Sequence, residues 1–511
     1  MGFFDKKTKT QEGSTITTSG FYIGSSEAEA EVANAKITLD EVFEDYLGII
    51  DELKYEKFIV SGRKGTGKSA IGAAIKHEAD DNSNAFCTFI RKGDIDIEKI
   101  VQVAKEADIE IQNQLLFKWV ILTKLLCLIS ENQNIQNLKE YEHLSKFIER
   151  NRGFIDIKNH EIVETIKENG FKINLEYFKR LVAAVCNKDI KIKEQKPEFY
   201  KLLPNLQDVI IKLLEKDPDN KYVIIFDDLD IEFSSKSESN IKNLTDLIRI
   251  AKEFNNDIFG KYGGCVKIIL LLRDDIYKHL LYFADTAKMF GSYEVVIKWY
   301  EDIYKNNESK IKLKQFVENR LRKNFERIKI PIKSNNVWAS FIDETGFNDY
   351  SYNSKTSFKY LIDHTFYRPR DIILLFNDIG KMNYHLPLSK NDLNELIGNY
   401  SQKIIAELRN ELSIIFSKSE ISSIFKVLTD LSKPQYPSFS YDEIENALSE
   451  QNLSDVSHVI ETLFDYSLIG NQDNENNVTF KYREKGIDVY SVDKTQNFIP
   501  HYILKVYFKA K

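Results

Sequence analysis

A glycine-rich stretch near the amino terminus has the residue types and the spacing of a phosphate-binding loop. It fits the pattern G-x-x-x-x-G-K-[ST] at every fixed position, after an apolar run at residues 57–61 (KFIVS) and before a helix-forming run at residues 70–78 (AIGAAIKHE). Glycines let such a loop wrap with its backbone N–H groups turned toward phosphate, and the following helix adds its positive end. A chance glycine-rich turn would lack this strand and helix. The loop consists of Gly62, Arg63, Lys64, Gly65, Thr66, Gly67, Lys68 and Ser69.

Two side chains of this loop and two carboxylates farther along the chain have the spacing needed for hydrolysis. Lys68 is placed to reach the β- and γ-phosphates of a nucleoside triphosphate, and Ser69 is placed to bind Mg²⁺. A second apolar run ends in Asp227 and Asp228. We expect Asp227 to hold Mg²⁺, directly or through water, and Asp228 to polarise the attacking water as a general base. Asp230 is either a helper or a helix N-cap. The sequence therefore predicts a nucleoside triphosphate and Mg²⁺ as ligands.

A cation follows a third apolar run. Residues 266–273 end in Arg273, with Asp274 and Asp275 directly after it. At the tip of a buried strand beside the strand of Asp227, this arginine would lie over the γ-phosphate and distinguish triphosphate from diphosphate. The alternative is an arginine that pairs with one of the two following carboxylates at the surface.

Arginines in the second half of the chain are further candidates for nucleotide contacts. Arg368, Pro369 and Arg370 open a helix, where proline is favoured at the first position. From a helical lid they would reach a nucleotide; the alternative is a capped helix with solvent-facing charges. Arg320 and Arg322 are weaker candidates for contacts to nucleotide or to a neighbouring subunit, because exposed helix arginines are common.

The elements that would position these groups alternate between short apolar runs and helical patterns. The runs are apolar nearly throughout, as expected of a parallel sheet covered on both faces. Helical segments separate them, so the predicted fold class is α/β, with a doubly wound parallel P-loop core. The five predicted strands are residues 57–61, 85–91, 222–227, 266–273 and 294–299.

The pattern divides the chain into four parts. The stretch between the second and third strands is too long for one crossover and has helical periodicity, which indicates a helical insertion. Near the end, three helical patterns precede a turn and a strand at 478–482, which is the order of a winged-helix domain. The predicted parts are a mobile tail at 1–20, a P-loop core at 21–300 with the insertion at about 94–221, a helical lid at 301–412, and a winged-helix-like domain at 413–511.

Composition limits the surroundings of the protein. A net charge of −7 provides no global attraction to nucleic acid or anionic membrane. The four cysteines form no CxxC pair and the amino terminus lacks a signal-peptide pattern, which favours the cytoplasm. The apolar run at residues 115–129 is too short to span a bilayer and contains Lys118 and Lys124, so we expect a buried helix and no membrane association.

Several motifs in order give the chain a family resemblance. GRKGTGKSA, IIFDDLD, LLLRD and YRPRD resemble the bacterial P-loop ATPases of the AAA+ superclass, especially the signal-transduction ATPases with numerous domains (STAND) and the origin-recognition-like ATPases. The resemblance covers about residues 45–385. It implies an ASCE-type AAA+-like core, ATP hydrolysis with Mg²⁺, and a setting such as bacterial antiviral defence, where several such families occur.

The resemblance assigns roles to individual positions. Lys68 and Ser69 match the Walker A pair. Asp227 and Asp228 match the Walker B pair, with Asp228 where many AAA+ members carry glutamate. Arg273 matches the arginine that ends the sensor-1 strand in STAND proteins.

The lid matches the family less well. Pro369 matches the proline that lies near adenine in STAND lids, whereas Arg368 and Arg370 depart from the family's Gly-x-Pro. The sequence contains no second catalytic motif, which favours an effector in another polypeptide.

The charge of the carboxyl-terminal part argues against DNA as its partner. Residues 434–480 contain no lysine or arginine and nine carboxylates, and the presumed recognition helix at 455–467 is acidic. DNA affinity depends on cations at phosphate, so protein contact or autoinhibitory packing is the better interpretation. Lysine and arginine clusters at 188–196 and 310–323 are where nucleic acid would bind if it does.

Three functional hypotheses follow. The first is an ATP-binding and ATP-hydrolysing switch that assembles with itself or with a separate effector protein, in bacterial defence or stress signalling. The alternative is a DNA-associated AAA+-like loader or remodeller. A third is a nucleotide-stabilised scaffold without hydrolysis, against which the intact Lys68, Asp227 and Asp228 argue.

Overall fold

The computed structural model divides the chain into two compact units. The sheet unit is Leu47–Lys298, and the helical unit combines Met1–Tyr46 with Trp299–Lys511. The described residues are 16–33, 35–91, 94, 113–155, 173–190, 199–228, 238–262, 265–274, 280, 286–301, 307–345, 347, 356–433, 438–451, 453, 455–483 and 492–509.

The sheet unit is built on five parallel strands in the order β2-β3-β4-β1-β5. Consecutive residues of β3, such as Ile224, Ile225 and Phe226, are all buried, so both faces of the sheet are covered. The predicted α/β class with a parallel sheet is confirmed. The strands are β1 (Ile59–Gly62), β2 (Ala85–Arg91), β3 (Lys221–Asp227), β4 (Val266–Arg273) and β5 (Glu294–Val296).

The described residues of the sheet unit also form helices. They are Ile49–Leu53, Lys68–Asp80, Asn113–Glu131, Gln133–Gln136, Tyr141–Arg150, Arg152–Ile155, Leu175–Cys186, Leu203–Lys216, Glu238–Lys252 and Thr286–Tyr293, with single turns at Phe199–Leu202, Glu253–Ile258 and Gly260–Tyr262. We call Lys68–Asp80 the P-loop helix; it begins two residues before the helical run predicted from sequence.

Asn113–Glu131 is the helix of the long apolar run. Among the described residues it is the one helix long and apolar enough to cross a membrane, and 61% of that stretch is buried. It packs against β2, β3 and Leu203–Lys216, and Leu116, Val120 and Leu125 are fully buried. In this structure it is a core helix, as the sequence predicted.

A buried polar network fixes this helical region to the sheet. Asn132 donates to Tyr222 Oη at 2.7 Å and also to the Asp217 carboxylate, which accepts from Asn220 at 2.6 Å and from Asn134 at 3.0 Å. These groups form hydrogen bonds with one another, so the network ties the helices to the start of β3.

The helical unit has its own hydrophobic core, which extends from Phe21 to Tyr507. It contains a three-stranded antiparallel sheet in the order β7-β6-β8, made of β6 (Ile469–Gln472), β7 (Val478–Thr479) and β8 (Asn497–Pro500). Its helices are Ala28–Ala33, Leu39–Val42, Lys312–Ile328, Val337–Phe341, Ser357–Asp363, Pro369–Phe376, Ile379–Met382, Lys390–Leu412, Lys418–Leu431, Tyr441–Ser449, Val456–Asp465 and Tyr502–Lys509, with single turns at Glu308–Lys310, Lys333–Asn335 and Lys481–Arg483.

The carboxyl-terminal part of this unit has the predicted order of three helices followed by antiparallel strands. The sequence indicated one strand, at 478–482, whereas the structure has β6 and β8 on either side of it along the chain. The last helix, Tyr502–Lys509, was also not predicted, and it packs against Lys390–Leu412. The winged-helix assignment stays a prediction.

The amino terminus differs from the division made from sequence. Residues 16–33, which we call the N-terminal strap, belong to the helical unit, and not to a tail and the P-loop core. Thr18 is fully buried and donates to the Ile379 carbonyl at 2.8 Å. The Tyr22 N–H donates to Asn324 Oδ1 at 2.7 Å. Hydrogen bonds to residues more than 300 positions away in the sequence hold this segment in place. Residues 1–15 lie outside the described part.

Candidate nucleotide-binding site

The predicted phosphate loop connects β1 to the P-loop helix. Gly65 and Gly67 have φ angles of 82° and 100°, a backbone conformation that side chains disfavour. A Cβ at Gly62 would lie 2.7 Å from Thr66 Oγ1, so that something would have to shift, and 3.2 Å from Ile297 Cβ, which is a tight contact. The backbone of this loop therefore favours glycine at Gly65 and Gly67, and the space at Gly62 favours it there.

The lysine of the motif lies across its own loop. Lys68 Nζ donates to the Gly62 carbonyl at 2.6 Å and to the Arg63 carbonyl at 3.2 Å. The Thr66 hydroxyl donates to the Arg63 carbonyl at 2.8 Å and closes the turn. The ammonium group thus lies over the loop, where anionic phosphate would exchange with the two carbonyls as its partner. Arg63, Lys64 and Ser69 are half-buried beside it.

Asp227 ends β3 and is 2% exposed. Its Oδ1 accepts the N–H of Asp228 at 3.0 Å, and among the described residues its buried Oδ2 has no hydrogen-bond partner. Burial, followed by the charge of Asp228, raises the pKa of Asp227 to about 6, and a hydrogen bond from Ser69 opposes part of that rise. A buried carboxylate oxygen beside a serine hydroxyl is an oxygen donor set that fits Mg²⁺.

Asp228 adopts a backbone conformation that is rare for residues other than glycine. Its φ is 55°, a region in which aspartate and asparagine are enriched. Such conformations cluster at functional sites because the surrounding structure must hold them in place. Residues 229–237 lie outside the described part, and with them Asp230.

Arg273 lies at the same edge of the sheet. In the pairing of β1 with β4 its Cα is opposite that of Gly62, the first residue of the loop. Its side chain is half-buried, as is that of Asp274, and Asp275 lies outside the described part. The structure therefore brings the loop, Asp227 and Arg273 to the carboxyl edge of one sheet, where ligands of α/β folds bind.

Arg91 is a cation at this edge that the sequence reasoning missed. It ends β2, and its Cα pairs with that of Asp227. Its guanidinium lies 4.4 Å from the centroid of the Phe89 ring. The signal was present, because the run AFCTFIR ends in a charge just as the other site strands do.

The segment around Pro369 belongs to the helical unit. Pro369 is the first residue of a helix, as predicted. Arg368 is buried and donates to Asp371 Oδ1 at 2.7 Å, while Arg370 donates to Glu407 Oε1 at 2.9 Å. The partners of Arg368 and Arg370 are carboxylates of the same unit, so a role for these three residues at the nucleotide stays a prediction.

Arg320 requires a correction, since the sequence proposed it as a contact to nucleotide or to a neighbouring subunit. It is 3% exposed and forms a two-point ion pair with Glu31, with both N–O distances at 2.9 Å. It also donates to the Ile23 carbonyl at 2.8 Å. Arg320 therefore anchors the N-terminal strap, while Arg322 on the same helix is exposed.

Comparison with known proteins yields a partial match. Residues 311–409 match the family described as the FunZ-associated C-terminal helical domain. This stretch lies within the predicted lid and within the helical unit. No curated protein matches the sequence. Among solved structures, the chain is similar to Cdc6p from Pyrobaculum aerophilum, with 11% identity over 92% of this chain and 93% of that chain and a TM-score of 0.27. A TM-score this low carries no argument about fold or function.

Proposed function

We propose that the chain binds ATP with Mg²⁺ at the loop Gly62–Ser69, hydrolyses it slowly, and works as a nucleotide-dependent switch. One observation carries the proposal. Two glycines with positive φ shape the loop, and Lys68 Nζ lies 2.6 Å from the carbonyl oxygen of Gly62, the first residue of the loop. At the same edge of the sheet the buried carboxylate Asp227 ends β3, which is separated from β1 by β4. Phosphate, metal and water each have a group of the chain that suits them.

Each residue then has a definite task. The backbone N–H groups of the loop hold the phosphates, and Lys68 exchanges its two carbonyl partners for phosphate oxygens. Asp227 and Ser69 hold Mg²⁺, which when bound neutralises phosphate charge. Asp228 accepts the proton of the attacking water, and Arg273 stabilises the charge of the transferred phosphoryl group.

Titration calorimetry with ADP and a non-hydrolysable ATP analogue, followed by phosphate-release assays, tests binding and hydrolysis. Lys68→Ala should weaken both nucleotides at least about 10-fold, because it removes charged hydrogen bonds to phosphate. Asp228→Asn should keep binding and lower turnover by about 100-fold or more. Lys76→Ala is the matched control, since Lys76 pairs with Asp80 at the surface of the same helix. Retained turnover in Asp228→Asn would show that another group activates water.

The switch also requires a change that nucleotide controls, and we propose assembly with itself or with a partner protein. Light scattering after gel filtration compares the apo, ADP-bound and analogue-bound protein with Lys68→Ala. A mass that rises with the triphosphate analogue and not in the variant supports self-assembly. A fixed mass excludes it and leaves a separate partner, and turnover raised severalfold by polynucleotide would favour the DNA-associated alternative. The setting in bacterial defence or stress signalling rests on the sequence resemblance alone.

A further inference from the structure

Arg91 stands in the row of strand ends that forms the proposed site. β3 lies between β2 and β4, so Arg91 and Arg273 end the two strands that flank the strand of Asp227. The Cα of Arg91 is in register with that of Asp227.

Arg91 contacts Phe89 with its side chain and forms a hydrogen bond to Asp94 with its backbone. The Phe89 ring lies under the guanidinium at 4.4 Å. The same ring lies against the P-loop helix, because a Cβ at Gly72 would come within 3.0 Å of it. Gly72 is one turn after Lys68. The Asp94 carboxylate accepts the Arg91 N–H at 2.9 Å and closes the turn that follows β2. Phe89 therefore connects the guanidinium to the helix that carries the phosphate-binding lysine.

We propose that Arg91 contacts the terminal phosphate of the bound triphosphate, as a third cation of the same chain beside Lys68 and Arg273. The inference rests on the proposed function and deepens it. Asp227 and Ser69 would hold Mg²⁺ at this strand end, and Lys68 would hold the phosphates beside it. A cation that ends the neighbouring strand is therefore placed for the terminal phosphate. A guanidinium forms two parallel hydrogen bonds to phosphate oxygens, a geometry that an ammonium cannot reproduce. ADP lacks this phosphate, so Arg91 contributes to recognition of the triphosphate and not of the diphosphate.

The test compares the affinities for ADP and for a non-hydrolysable ATP analogue, with Mg²⁺, by titration calorimetry of the full chain. Arg91→Gln keeps the methylene stem on Phe89 and removes the charge. It should weaken the analogue about 10- to 100-fold and leave ADP within about 2-fold, since a charged hydrogen bond is lost from one ligand alone. Arg91→Lys should recover part of the loss. Arg180→Gln is the matched control, because Arg180 is an exposed arginine of the same unit that pairs with Glu176.

An unchanged ratio of the two affinities in Arg91→Gln would overturn the assignment, whether neither nucleotide is weakened or both are weakened equally. Wild-type protein that binds neither nucleotide would overturn the proposed function and this assignment with it. Wild-type protein that binds both, with Lys68→Ala weakening both and Arg91→Gln weakening neither, would leave the proposed function standing and remove Arg91 from it. Thermal unfolding of Arg91→Gln checks that a loss is not one of folding.

Discussion

At the scale of the residue, Asp227 shows how a buried carboxylate opposes stability. Burial raises its pKa to about 6 from an ordinary value of 3.8. The folded protein therefore binds more protons than the unfolded chain between those values. Stability from this group is fully present below about pH 3.8 and is lost as the pH rises through 6. At neutral pH the buried charge costs up to about 3 kcal/mol, at about 1.4 kcal/mol per pKa unit.

The variant Asp227→Asn should therefore stabilise the metal-free protein at pH 8 by up to about 3 kcal/mol, and at pH 5 by about half as much. The amide has the shape of the carboxylate without its charge. Urea unfolding of the sheet unit at both pH values measures the difference. Asp219→Asn, at an exposed turn, is the control and should show no such dependence on pH. An equal effect of Asp227→Asn at both pH values would contradict the argument.

The ion pair of Arg320 with Glu31 differs from Asp227, because each of these two buried charges has an opposite charge beside it. Removing one of the two charges should therefore destabilise the protein. Glu31→Gln should lower the free energy of unfolding of the helical unit by about 3–5 kcal/mol, since Arg320 stays buried without a counter-charge. Adding Arg320→Met should recover part of the loss. Urea unfolding measures all three variants in a double-mutant cycle. Glu326→Gln, which removes an exposed partner of Lys323, should change stability by less than about 1 kcal/mol.

At the scale of the element, the sequence predicted what local pattern determines. β2 and β4 have the bounds read from the apolar runs. β4 is buried on both faces and is therefore a continuous apolar run with turn residues at its ends. The loop Gly62–Ser69 could be predicted equally well, because the reasons for its glycines are local. Gly65 and Gly67 have positive φ angles, and a Cβ at Gly62 would meet Thr66 of the same loop.

The N-terminal strap could not be predicted in the same way. Tyr22 bonds to Asn324, and Thr18 to the carbonyl of Ile379, so its position depends on partners more than 300 residues away. Arg91 was missed for a related reason. In the sequence, a charge at the end of an apolar run indicates only that a strand ends there. The strand order of the structure is needed to show that Arg91 lies beside Asp227.

The strap offers a test of close packing with two glycines of the helical unit. A Cβ at Gly380 would lie 2.2 Å from the Phe21 carbonyl oxygen, whereas a Cβ at Gly398 would meet nothing within 4 Å. Gly380→Ala should therefore displace the strap and destabilise the unit by more than about 1 kcal/mol. Gly398→Ala, inside the helix Lys390–Leu412, should stabilise it by about 0.5–1 kcal/mol. Limited proteolysis and urea unfolding measure both, and similar behaviour of the two variants would show that the strap is not held by this contact.

At the scale of the whole molecule, the chain combines two units that each bury a core of their own. The proposed nucleotide site draws on groups of the sheet unit alone, from Gly62 to Arg273. The strap, its ion pair and the stretch that matches the FunZ-associated C-terminal helical domain all lie in the helical unit. Ligand binding and packing changes therefore act first on different units.

Calorimetric unfolding should separate them into two transitions. Binding stabilises the state that holds the ligand by about 2.7 kcal/mol at a concentration 100 times Kd, so the analogue should raise the sheet-unit transition by about 5–10 °C. Gly380→Ala should lower the other transition and leave the shift produced by the analogue unchanged. Lys68→Ala should abolish that shift without moving the second transition. A single transition, raised as a whole by the analogue, would instead show that the two units unfold as one cooperative body.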